Sequence, residues 1–361
     1  MLDKLLIRNY KILKNISMIS LERVNLITGK NNVGKTSLLE VIGIYASQMN
    51  LIYLFDVLKS RKDIYLKKGS SDIDYKKSFL SFFSNRTTEN LSDKKRVLIK
   101  TLKKGSIEAH LLFLKLVAFT EDESGVKSEL LSDEKPVVQH KTGIKIGNDD
   151  QAVIYSKKEI EHILTTQKLH FDVNCRSIAA QNTIGGISKA AWDYIVESDK
   201  KNVLSETLKM LDENIAEVTF QPDNSLPEKG NIVLKLQNQQ SLVSPESMGI
   251  GIVRVLNVFN GLFEAKNGFL LIDEFETGFH YAVLEKLWEI VFKLSKELNV
   301  QVFATTQSYD CIQAFGKIIN GEDYLKQGKM IRLERHNDDI QETDINADEL
   351  SIAIENNIDL R

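Results

Sequence analysis

An eight-residue segment near the amino terminus, Gly29–Thr36, constrains the fold more than any other part of this sequence. The segment reads Gly-Lys-Asn-Asn-Val-Gly-Lys-Thr and satisfies the pattern G-x-x-x-x-G-K-[ST] at every specified position. Arg23–Thr28, immediately before it, predicts a short buried strand, and the chain from Ser37 onward predicts a helix. A strand, a loop with two glycines and a helix, in this order, are the context in which such a loop binds phosphate.

The residue types of this segment suit the phosphates of a nucleoside triphosphate. Glycines allow successive backbone N–H groups to converge on the phosphates, and the helix N-terminus adds the positive end of its dipole. We expect the ammonium group of Lys35 to reach the β- and γ-phosphates, and the hydroxyl of Thr36 to bind Mg²⁺. The predicted ATP-binding residues of this segment are Gly29, Lys30, Asn31, Asn32, Val33, Gly34, Lys35, Thr36 and Ser37.

A second motif supplies the carboxylates that a phosphate loop of this kind needs for its metal ion. Phe269–Ile272 predicts a buried strand, and Asp273 and Glu274 follow it directly. We expect Asp273 to join the metal shell, directly or through water. We expect Glu274 to point to the opposite face of an extended backbone and to orient or activate the attacking water. The alternative is an acidic turn after a core strand.

Further elements after the acidic motif indicate an α/β fold. Glu285–Leu298 predicts an amphipathic helix, and Val300–Thr306 predicts another buried strand that ends at Gln307 and Ser308. Parallel strands that alternate with helices form a sheet whose binding site lies at the carboxyl ends of the strands. The sequence therefore predicts that the site of this protein lies at that edge.

A serine and two glycines precede a predicted helix that runs to Phe263. Ser247, Gly249 and Gly251 lie about 26 residues before Asp273. Such a group at a helix N-terminus suits an anion, although an ordinary helix cap has a similar composition. The position of these residues ahead of the acidic motif favours an anion site.

Composition restricts the class of protein. The chain has 361 residues, of which 42% are hydrophobic and 27% charged, and this suits a globular protein of one large or two small domains. Cys175 and Cys311 are too few for a disulfide framework, so we expect a reducing, cytoplasmic location. The first residues lack a long apolar segment, and the apolar stretch Leu111–Phe119 is broken by Lys115, so we expect no signal peptide and no contact with a membrane.

Charge is distributed unevenly along the chain, whose formal net charge is −3. Lys59–Lys104 contains 14 basic and 5 acidic residues, whereas Glu334–Arg361 contains 9 acidic and 2 basic residues. The basic segment is either a surface for the phosphate backbone of DNA or a set of solvated helix faces. In the second case its aromatic residues belong to the core; they are Tyr65, Tyr75, Phe79, Phe82 and Phe83. The acidic segment is either a solvated tail or a docking face for a basic partner.

The order of these motifs resembles the ABC-type ATPase heads of the SMC, RecF and OLD group. The phosphate loop comes first, followed by the serine–glycine segment, the acidic motif and Thr305–Ser308. Leu5–Lys11 also looks like the first strand of those heads, and Phe275–His280 occupies their D-loop position. The resemblance covers about Met1–Leu58 and the chain from about Asp172. Within the group, the chain is most similar to stand-alone bacterial AAA-type ATPases of phage-defence loci.

This resemblance implies a P-loop NTPase of ABC-ATPase-head type. The expected fold is a mostly parallel sheet with helices on both faces, an N-terminal antiparallel β element and a mixed insertion. The expected organisation is a single domain over residues 1–361, with a core of 1–58 and 168–361 and a variable insertion of about 59–167.

The resemblance also implies a homodimer, or a higher oligomer of dimers, that closes on ATP. Ser247 and Gly249 of one subunit would contact the γ-phosphate that Lys35 of the other subunit holds, and hydrolysis would separate the heads. Gly251, in the same segment, is assigned to the nucleotide site with them. Closure is a shift of population towards the state that binds ATP better.

Two glutamines complete the implied site. The family usually has histidine where this chain has Gln307, and a glutamine amide can donate to phosphate but cannot become cationic, so we expect slow turnover. Gln181, after the predicted strand Phe171–Asn174, is the candidate for the glutamine that completes the Mg²⁺ shell, and the alternative is a solvated loop residue. The predicted catalytic residues are thus Glu274, Lys35 and Gln307, and the predicted metal ligands are Thr36, Asp273 and Gln181.

Three functions are compatible with these implications. The first is an ATPase subunit of an anti-phage system that controls a nuclease or toxin partner; a TOPRIM-type nuclease is the suspected partner, and the 54 residues after Gln307 are too few to contain one. The second is a RecF-like repair ATPase that binds DNA through residues 59–104. The third is a nucleotide-locked scaffold, in which Gln307 leaves ATP bound and nearly unhydrolysed.

Overall fold

The structure is a computed structural model, and it divides the chain into two compact units. It describes residues 1–68, 70, 72–86, 96–130, 141–148, 151–179, 187–223, 229–237, 239, 241–324 and 326–361. The first unit consists of Met1–Leu21, Asn31–Val173 and Leu333–Thr343. The second unit consists of Glu22–Lys30, Asn174–Arg332 and Asp344–Arg361.

Strands and helices are distributed over the whole of the described chain. The strands are β1 Leu2–Tyr10, β2 Leu13–Met18, β3 Val24–Thr28, β4 Val97–Lys103, β5 Ala109–Glu121, β6 Lys127–Glu129, β7 Lys141–Asn148, β8 Ala152–Tyr155, β9 Cys175–Ile178, β10 Ile187–Ser188, β11 Ile215–Pro222, β12 Lys229–Leu236, β13 Leu242–Val243, β14 Phe269–Ile272, β15 Gln301–Thr305, β16 Gly328–His336 and β17 Asp339–Ile345. The helices are α1 Lys35–Ala46, α2 Leu51–Ser60, α3 Tyr75–Leu80, α4 Lys157–Thr166, α5 Lys189–Glu197, α6 Lys200–Lys209, α7 Ile250–Glu264, α8 Tyr281–Glu297, α9 Tyr309–Ile319 and α10 Ala347–Glu355.

The first unit is built on an antiparallel sheet with the strand order β2-β1-β4-β5-β7-β8, and β6 pairs with β5. Along β1, Leu5 and Ile7 are buried, whereas Lys4 and Arg8 are exposed. This alternation is typical of an antiparallel sheet that packs one face on a core and leaves the other face to solvent. The N-terminal strands and the strands of the insertion thus form one sheet.

Helix α1 is anchored to the end of β1 by the half-buried carboxylate of Glu40. Glu40, on α1, accepts a hydrogen bond of 2.9 Å from the hydroxyl of Tyr10 and one of 2.8 Å from Nζ of Lys11. Arg61, which follows α2, forms an ion pair with the other carboxylate oxygen. The start of the chain therefore holds the helix that follows the phosphate loop.

The second unit contains the strands that the sequence predicts around its motifs. Strands β16, β3, β15, β14 and β9 lie side by side in this order, and each of these pairs is parallel. Every residue of β3, β14 and β15 is buried, as expected for strands of a parallel sheet that is covered on both faces. A smaller antiparallel sheet of the order β10-β12-β11, with β13 paired to β12, belongs to the same unit.

Several expectations on the elements are confirmed. The strands before the phosphate loop and before Asp273 form as β3 and β14, and the mixed insertion contains β4–β8 with α3 and α4. Of the five aromatic residues of the basic segment that were expected in the core, Phe79, Phe82 and Phe83 are buried, whereas Tyr65 and Tyr75 are half-buried. The division of residues 1–361 into one domain with a core and an insertion stays a prediction.

Two expectations are wrong. The predicted strand Phe171–Asn174 lies outside any strand, and the chain enters the sheet four residues later as β9, beside β14. The acidic C-terminal segment is also folded and not a tail, because it forms the end of β16, all of β17 and α10, although most of its carboxylates are exposed. The segment is tied to residues before it by the ion pairs of Asp339 with Lys14 at 3.0 Å and of Asp344 with Lys329 at 2.6 Å. No helix in the described part of the chain has the length and apolarity that crossing a membrane requires.

Candidate functional site

The phosphate loop begins at the carboxyl edge of the second unit's parallel sheet. Strand β3 lies between β15 and β16, and the N–H of Thr306 donates a hydrogen bond of 3.0 Å to the carbonyl of Ile27. Gly29 follows β3, is buried, and has a φ of 138°, which only glycine adopts readily. Gly29 and the exposed Lys30 therefore leave the sheet at the same edge as the ends of β14 and β15.

The rest of the loop belongs to the first unit, where it enters helix α1. Gly34 has a φ of 96°, and a Cβ at this position would lie 2.7 Å from Cδ2 of Leu13. A glycine N-cap offers no side-chain oxygen to the first turn of α1, which begins at Lys35. The backbone thus has the form that a phosphate loop needs, and a side chain at position 34 would have no room.

The side chains of the loop differ in their exposure to solvent. Lys35 is only 7% exposed, and Val33 is also buried. Asn31 and Asn32 are exposed, and the carbonyl of Asn32 accepts a hydrogen bond of 3.3 Å from Arg335. Thr36 and Ser37 are half-buried. Their roles towards the nucleotide stay predictions.

A cavity of about 350 Å³ in the first unit borders Ser37. Its lining includes the cationic side chains of Lys11, Arg61 and Arg86. Each of these cations is also paired with a carboxylate, Lys11 and Arg61 with Glu40 and Arg86 with Asp63. The cavity provides polar, basic space directly beside the first turn of α1.

The acidic motif forms a compact hydrogen-bonded corner at the end of β14. Oδ1 of Asp273 accepts a hydrogen bond of 2.6 Å from the hydroxyl of Thr305, the last residue of β15. The same hydroxyl accepts a hydrogen bond of 2.8 Å from the backbone N–H of Glu274. One threonine thus orients the carboxylate of Asp273 and fixes the backbone of Glu274.

The backbone at Glu274 differs from the expectation of an extended strand. Its φ is 50°, in the left-handed region, so the chain turns at this residue instead of continuing the strand. A residue with a side chain adopts this region at a cost of about 1–2 kcal/mol, and the surrounding structure must hold it there. The expectation that alternation along a strand directs the two carboxylates to opposite faces is therefore wrong.

Arg254, on α7, holds the same corner from the other side. The guanidinium donates to the carbonyl of Ala179 at 2.6 Å, to that of Asp273 at 2.5 Å and to that of Glu274 at 2.9 Å. Arg254 is 2% exposed, and burial lowers the pKa of its guanidinium, while the nearby carboxylates of Asp273, Glu276 and Glu274 act in the opposite direction. This charge is buried beside the acidic motif.

Gln307 is positioned through its backbone. Its N–H donates a hydrogen bond of 2.9 Å to Oε1 of Glu276, in the turn after the acidic motif. The other oxygen of Glu276 is buried and has no hydrogen-bond partner among the described residues. Gln307 itself is half-buried at the end of β15. The turn and the end of β15 are therefore tied together beside Asp273.

The serine–glycine segment lies at the surface of the second unit. Ser247 and Gly249 are exposed, and the hydroxyl of Ser247 donates to the carbonyl of Ser244 at 2.7 Å. A Cβ on Gly251 would lie 2.7 Å from the carbonyl oxygen of Gly278, so the start of α7 packs against the turn that follows the acidic motif. Glycine at position 251 is required by this close approach.

The second unit thus brings together Gly29, Asp273, Glu274 and Gln307 at one sheet edge, with the start of α7 packed on the adjoining turn. Gln181 lies outside the described residues. Sequence reasoning missed Arg254, Thr305 and Glu276 as functional candidates. A buried arginine in an otherwise apolar helix and a threonine at the end of a buried strand were the signals that could have identified the first two.

The expected Mg²⁺ ion requires few ligands from the protein. In the described chain, no group of three or more His, Cys, Asp or Glu side chains is arranged to hold a metal ion. Mg²⁺ is commonly bound by one or two carboxylates together with phosphate oxygens and water, and a single oriented carboxylate such as that of Asp273 suits this mode.

A P-loop that follows a strand of a parallel sheet, an acidic motif at the end of another strand of that sheet and a serine–glycine helix start define a P-loop ATPase with an ABC-type head fold. The chain belongs to the AAA ATPase domain family, whose model matches residues 1–312. The expectation of an ATPase of the SMC, RecF and OLD type is thereby confirmed, and family membership implies ATP binding.

Relatives and solved structures agree with this assignment. A Helicobacter pylori protein described as an ATP/GTP phosphatase is 22% identical over 363 residues, which is 93% of each chain. The fold is similar to an SMC head bound to the C-terminal winged-helix domain of ScpA, with a TM-score of 0.51 and 13% identity over 96% of this chain and 99% of that one. It is also similar to an SMC head with an extended coiled coil, bound to the C-terminal domain of ScpA from Pyrococcus furiosus, with a TM-score of 0.50 and 11% identity over 99% of each chain.

Proposed function

We propose that this ATPase is the nucleotide-driven subunit of a two-component anti-phage defence system in the cytoplasm. Two copies pair when they bind ATP and Mg²⁺, and the pairing controls a nuclease or toxin that a second protein supplies. The defence role rests on the resemblance to stand-alone ATPases of phage-defence loci. The pairing rests on an observation in the second unit.

That observation is the surface around the serine–glycine segment. Ser247 and Gly249 are exposed, and Ile250, the next residue, is 54% exposed; Tyr281, three residues after the Gly278 that packs on the start of α7, is 63% exposed. An anion-binding helix start next to exposed apolar side chains is typical of a surface that a partner covers. A second copy with ATP on its phosphate loop provides both an anion and a covering surface.

Within each copy, the proposed roles follow from the local geometry. Lys35 would bind the β- and γ-phosphates, and Asp273, held by Thr305, would bind Mg²⁺, which neutralises the charge that develops during phosphoryl transfer. Glu274 would accept a proton from the attacking water. Gln307 would donate its amide to the γ-phosphate. Thr36 as a metal ligand, and Gly249 and Gly251 as nucleotide contacts, remain part of the proposal.

The solved structures support a protein partner in general terms. In both similar structures an SMC head is bound to a domain of ScpA, a separate protein. For this chain we propose a nuclease or toxin partner, with a TOPRIM-type nuclease as the first candidate. Co-purification with a second protein that survives nuclease treatment of the lysate would support it.

Oligomer size tests the proposed pairing. We expect wild type to be larger by light scattering with ATP and Mg²⁺ than without nucleotide, and the Glu274→Gln variant to stay in the larger form. Ile250→Asp should prevent this change, because it places a charge on the proposed interface. Val196→Asp, at an exposed position of α5, is the matched control and should pair normally. Monomers under every condition would reject the pairing.

A second candidate, a RecF-like DNA-binding ATPase, is favoured by the open face of the first unit's sheet. Lys4 and Arg8 on β1 and Lys100 on β4 are exposed, and the register places all three on one face. Arg96 lies over the ring of Phe113 on the same sheet, whereas Lys94 and Lys95 fall outside the described residues. Cations on an open face suit a phosphate backbone.

Salt dependence tests this candidate. DNA binding by wild type that weakens steeply with salt, and that the triple change of Lys4, Arg8 and Lys100 to Glu abolishes, would support it. The third candidate, a nucleotide-locked scaffold, predicts that wild type retains ATP unhydrolysed for hours. In that case Gln307→His should restore turnover, since histidine can carry a proton to the phosphate.

A further inference from the structure

The side chain of Arg254 connects helix α7 to the acidic motif by donating hydrogen bonds to backbone carbonyls. Arg254 is the fifth residue of α7. Its guanidinium donates to the carbonyls of Ala179, Asp273 and Glu274. These three carbonyls are 75, 19 and 20 residues away along the chain. One side chain therefore joins the end of β9, the end of β14 and the start of α7.

The hydrogen bonds of Arg254 act at Glu274, the residue of the acidic motif with a left-handed backbone. Glu274 has a left-handed φ of 50°, and this conformation directs where its carboxylate goes. Arg254 binds the carbonyl of Glu274, and the hydroxyl of Thr305 binds its N–H. The peptide groups on both sides of the Glu274 side chain are thus held, one from a helix and one from a neighbouring strand.

A purely stabilising role accounts poorly for an arginine at this position. Arg254 is almost fully buried, its hydrogen bonds are to neutral carbonyls, and its Nε has no acceptor among the described residues, although the carboxylates of Asp273, Glu276 and Glu274 favour its charge. Burying a charge costs free energy that such contacts only partly return, so a buried charge is weak evidence for stability. A requirement for defined geometry at the acidic motif explains why the charge is there.

We propose that Arg254 is a positioning residue for ATP hydrolysis, which holds the left-handed backbone at Glu274 so that the carboxylate faces the attacking water. Arg254 does not contact the nucleotide in this proposal. The inference rests on the proposed role of Glu274 as the group that accepts the proton. It predicts that loss of Arg254 slows the chemical step and leaves ATP affinity nearly unchanged.

The experiment compares Arg254→Met and Arg254→Lys with a matched control in the full chain. Arg23, which precedes β3, also donates from its guanidinium to two backbone carbonyls, those of Ser295 and Val300, and is remote from the acidic motif. Arg23→Met therefore removes the same kind of contact elsewhere in the second unit. For each variant we would measure the thermal unfolding midpoint, the Kd for ATP and kcat.

We expect kcat of Arg254→Met to fall at least about tenfold, with Kd for ATP within about threefold of wild type. The kcat of Arg254→Lys should lie between those of wild type and Arg254→Met, because an ammonium group reaches one or two of the three carbonyls. Arg23→Met should lower the unfolding midpoint and leave kcat unchanged. If Arg254→Met does not fold, Arg254→Lys decides, and wild-type kcat in that variant would overturn the proposal. Equal losses of kcat in the Arg23 and Arg254 variants would also overturn it.

The double variant separates positioning from general damage. If Arg254 acts through Glu274, adding Arg254→Lys to Glu274→Gln should change the residual hydrolysis less than twofold, whereas independent effects would multiply. Glu274→Gln alone tests the proposed base: wild-type turnover there would reject the role of Glu274. Loss of turnover in Glu274→Gln with normal turnover in both Arg254 variants would reject only the role of Arg254.

Discussion

The hydroxyl of Thr305 lies 2.6 Å from Oδ1 of Asp273 and donates a hydrogen bond to it. The two residues are 32 positions apart in the chain and end two adjacent parallel strands, β15 and β14. Because the hydroxyl also accepts the N–H of Glu274, its only proton is committed to the carboxylate. The carboxylate that is expected to hold the metal is therefore oriented before any ligand binds.

Thr305→Val should impair catalysis by removing this orientation. Valine has nearly the same shape, but it leaves the N–H of Glu274 and Oδ1 of Asp273 without their shared partner. The loss of hydrogen bonds to a charged group is worth about 1.5–3 kcal/mol, so we expect kcat to fall about tenfold or more. The Mg²⁺ concentration for half-maximal activity should rise. Steady-state ATPase assays over a Mg²⁺ titration measure both effects.

The control for this prediction is Thr207→Val. Thr207 is a fully buried threonine of the same unit, and its hydroxyl bonds the carbonyl of Val203 within α6. This variant should lose some thermal stability and keep wild-type kcat. Normal Mg²⁺ dependence in Thr305→Val would contradict the role assigned to the Thr305–Asp273 bond.

Lys35→Ala should abolish nucleotide binding. The loop loses the cation that is expected at the β- and γ-phosphates, and its glycines alone supply only backbone N–H groups. Isothermal titration with ATP should show no binding in the millimolar range. Lys30→Ala removes an exposed lysine from the same loop and should reduce affinity far less. Equal affinity of Lys35→Ala and wild type would disprove the phosphate-loop assignment.

Glu274→Gln should keep ATP binding and lose hydrolysis. The amide has the size of the carboxylate but cannot accept a proton, so we expect kcat to fall about 10²–10⁴-fold, the range typical of a lost general base. Radiolabelled ATP should remain bound and intact in the paired form. Glu285→Gln, at an exposed position of α8, changes the charge equally and should hydrolyse ATP normally. A Glu274→Gln protein with wild-type turnover would show that another group activates the water.

The carboxylate of Glu129 should make the first unit less stable in acid. Lys115 and Lys145 bind its two oxygens at 2.6 and 2.7 Å. Burial acts to raise the pKa of Glu129, but the hydrogen bonds and charges of the two lysines outweigh it, and the net pKa is lowered from the ordinary value of 4.5. A lowered pKa in the folded state stabilises the protein above the unfolded value, and this contribution is lost as pH falls through the folded value.

The measurement is thermal unfolding of wild type and Glu129→Gln between pH 3 and pH 8. We expect the variant to unfold at a lower temperature near pH 7, and the difference to shrink as pH falls below about 4.5. Glu123→Gln, an exposed residue of the same unit, should behave as wild type at every pH. A difference that is independent of pH would mean that Glu129 is held by packing and not by charge.

The local elements around the motifs could be predicted because their signals are contiguous. Strands β3, β14 and β15 are short runs of buried residues followed at once by glycine, acidic or polar residues. This pattern can be recognised in each segment without knowing which strands lie beside it. The prediction of a strand at Phe171–Asn174 was wrong because alternation over only four residues is a weak indication of a strand. The pairing of Cys175–Ile178 with β14 decides where the chain enters the sheet.

The turn at Glu274 and the role of Arg254 could not be read from local pattern. A strand followed by two acidic residues suggests continued alternation, whereas the left-handed φ at Glu274 exists because Thr305 and Arg254 bind the flanking peptide groups. Those contacts depend on which strand lies beside β14 and how α7 packs. Periodicity within either segment does not contain that information.

The amino-acid sequence by itself identified Gly29–Thr36 as a phosphate-loop motif and predicted that the acidic motif follows a buried strand, because a phosphate loop is defined by residues next to one another. The tertiary structure decided how Asp273, Glu274 and Gln307 are held, and it joined the N-terminal strands to those of the insertion in one sheet. The physical reason is that hydrogen bonds between distant residues need ångström-level placement, which only the packed strands and helices provide.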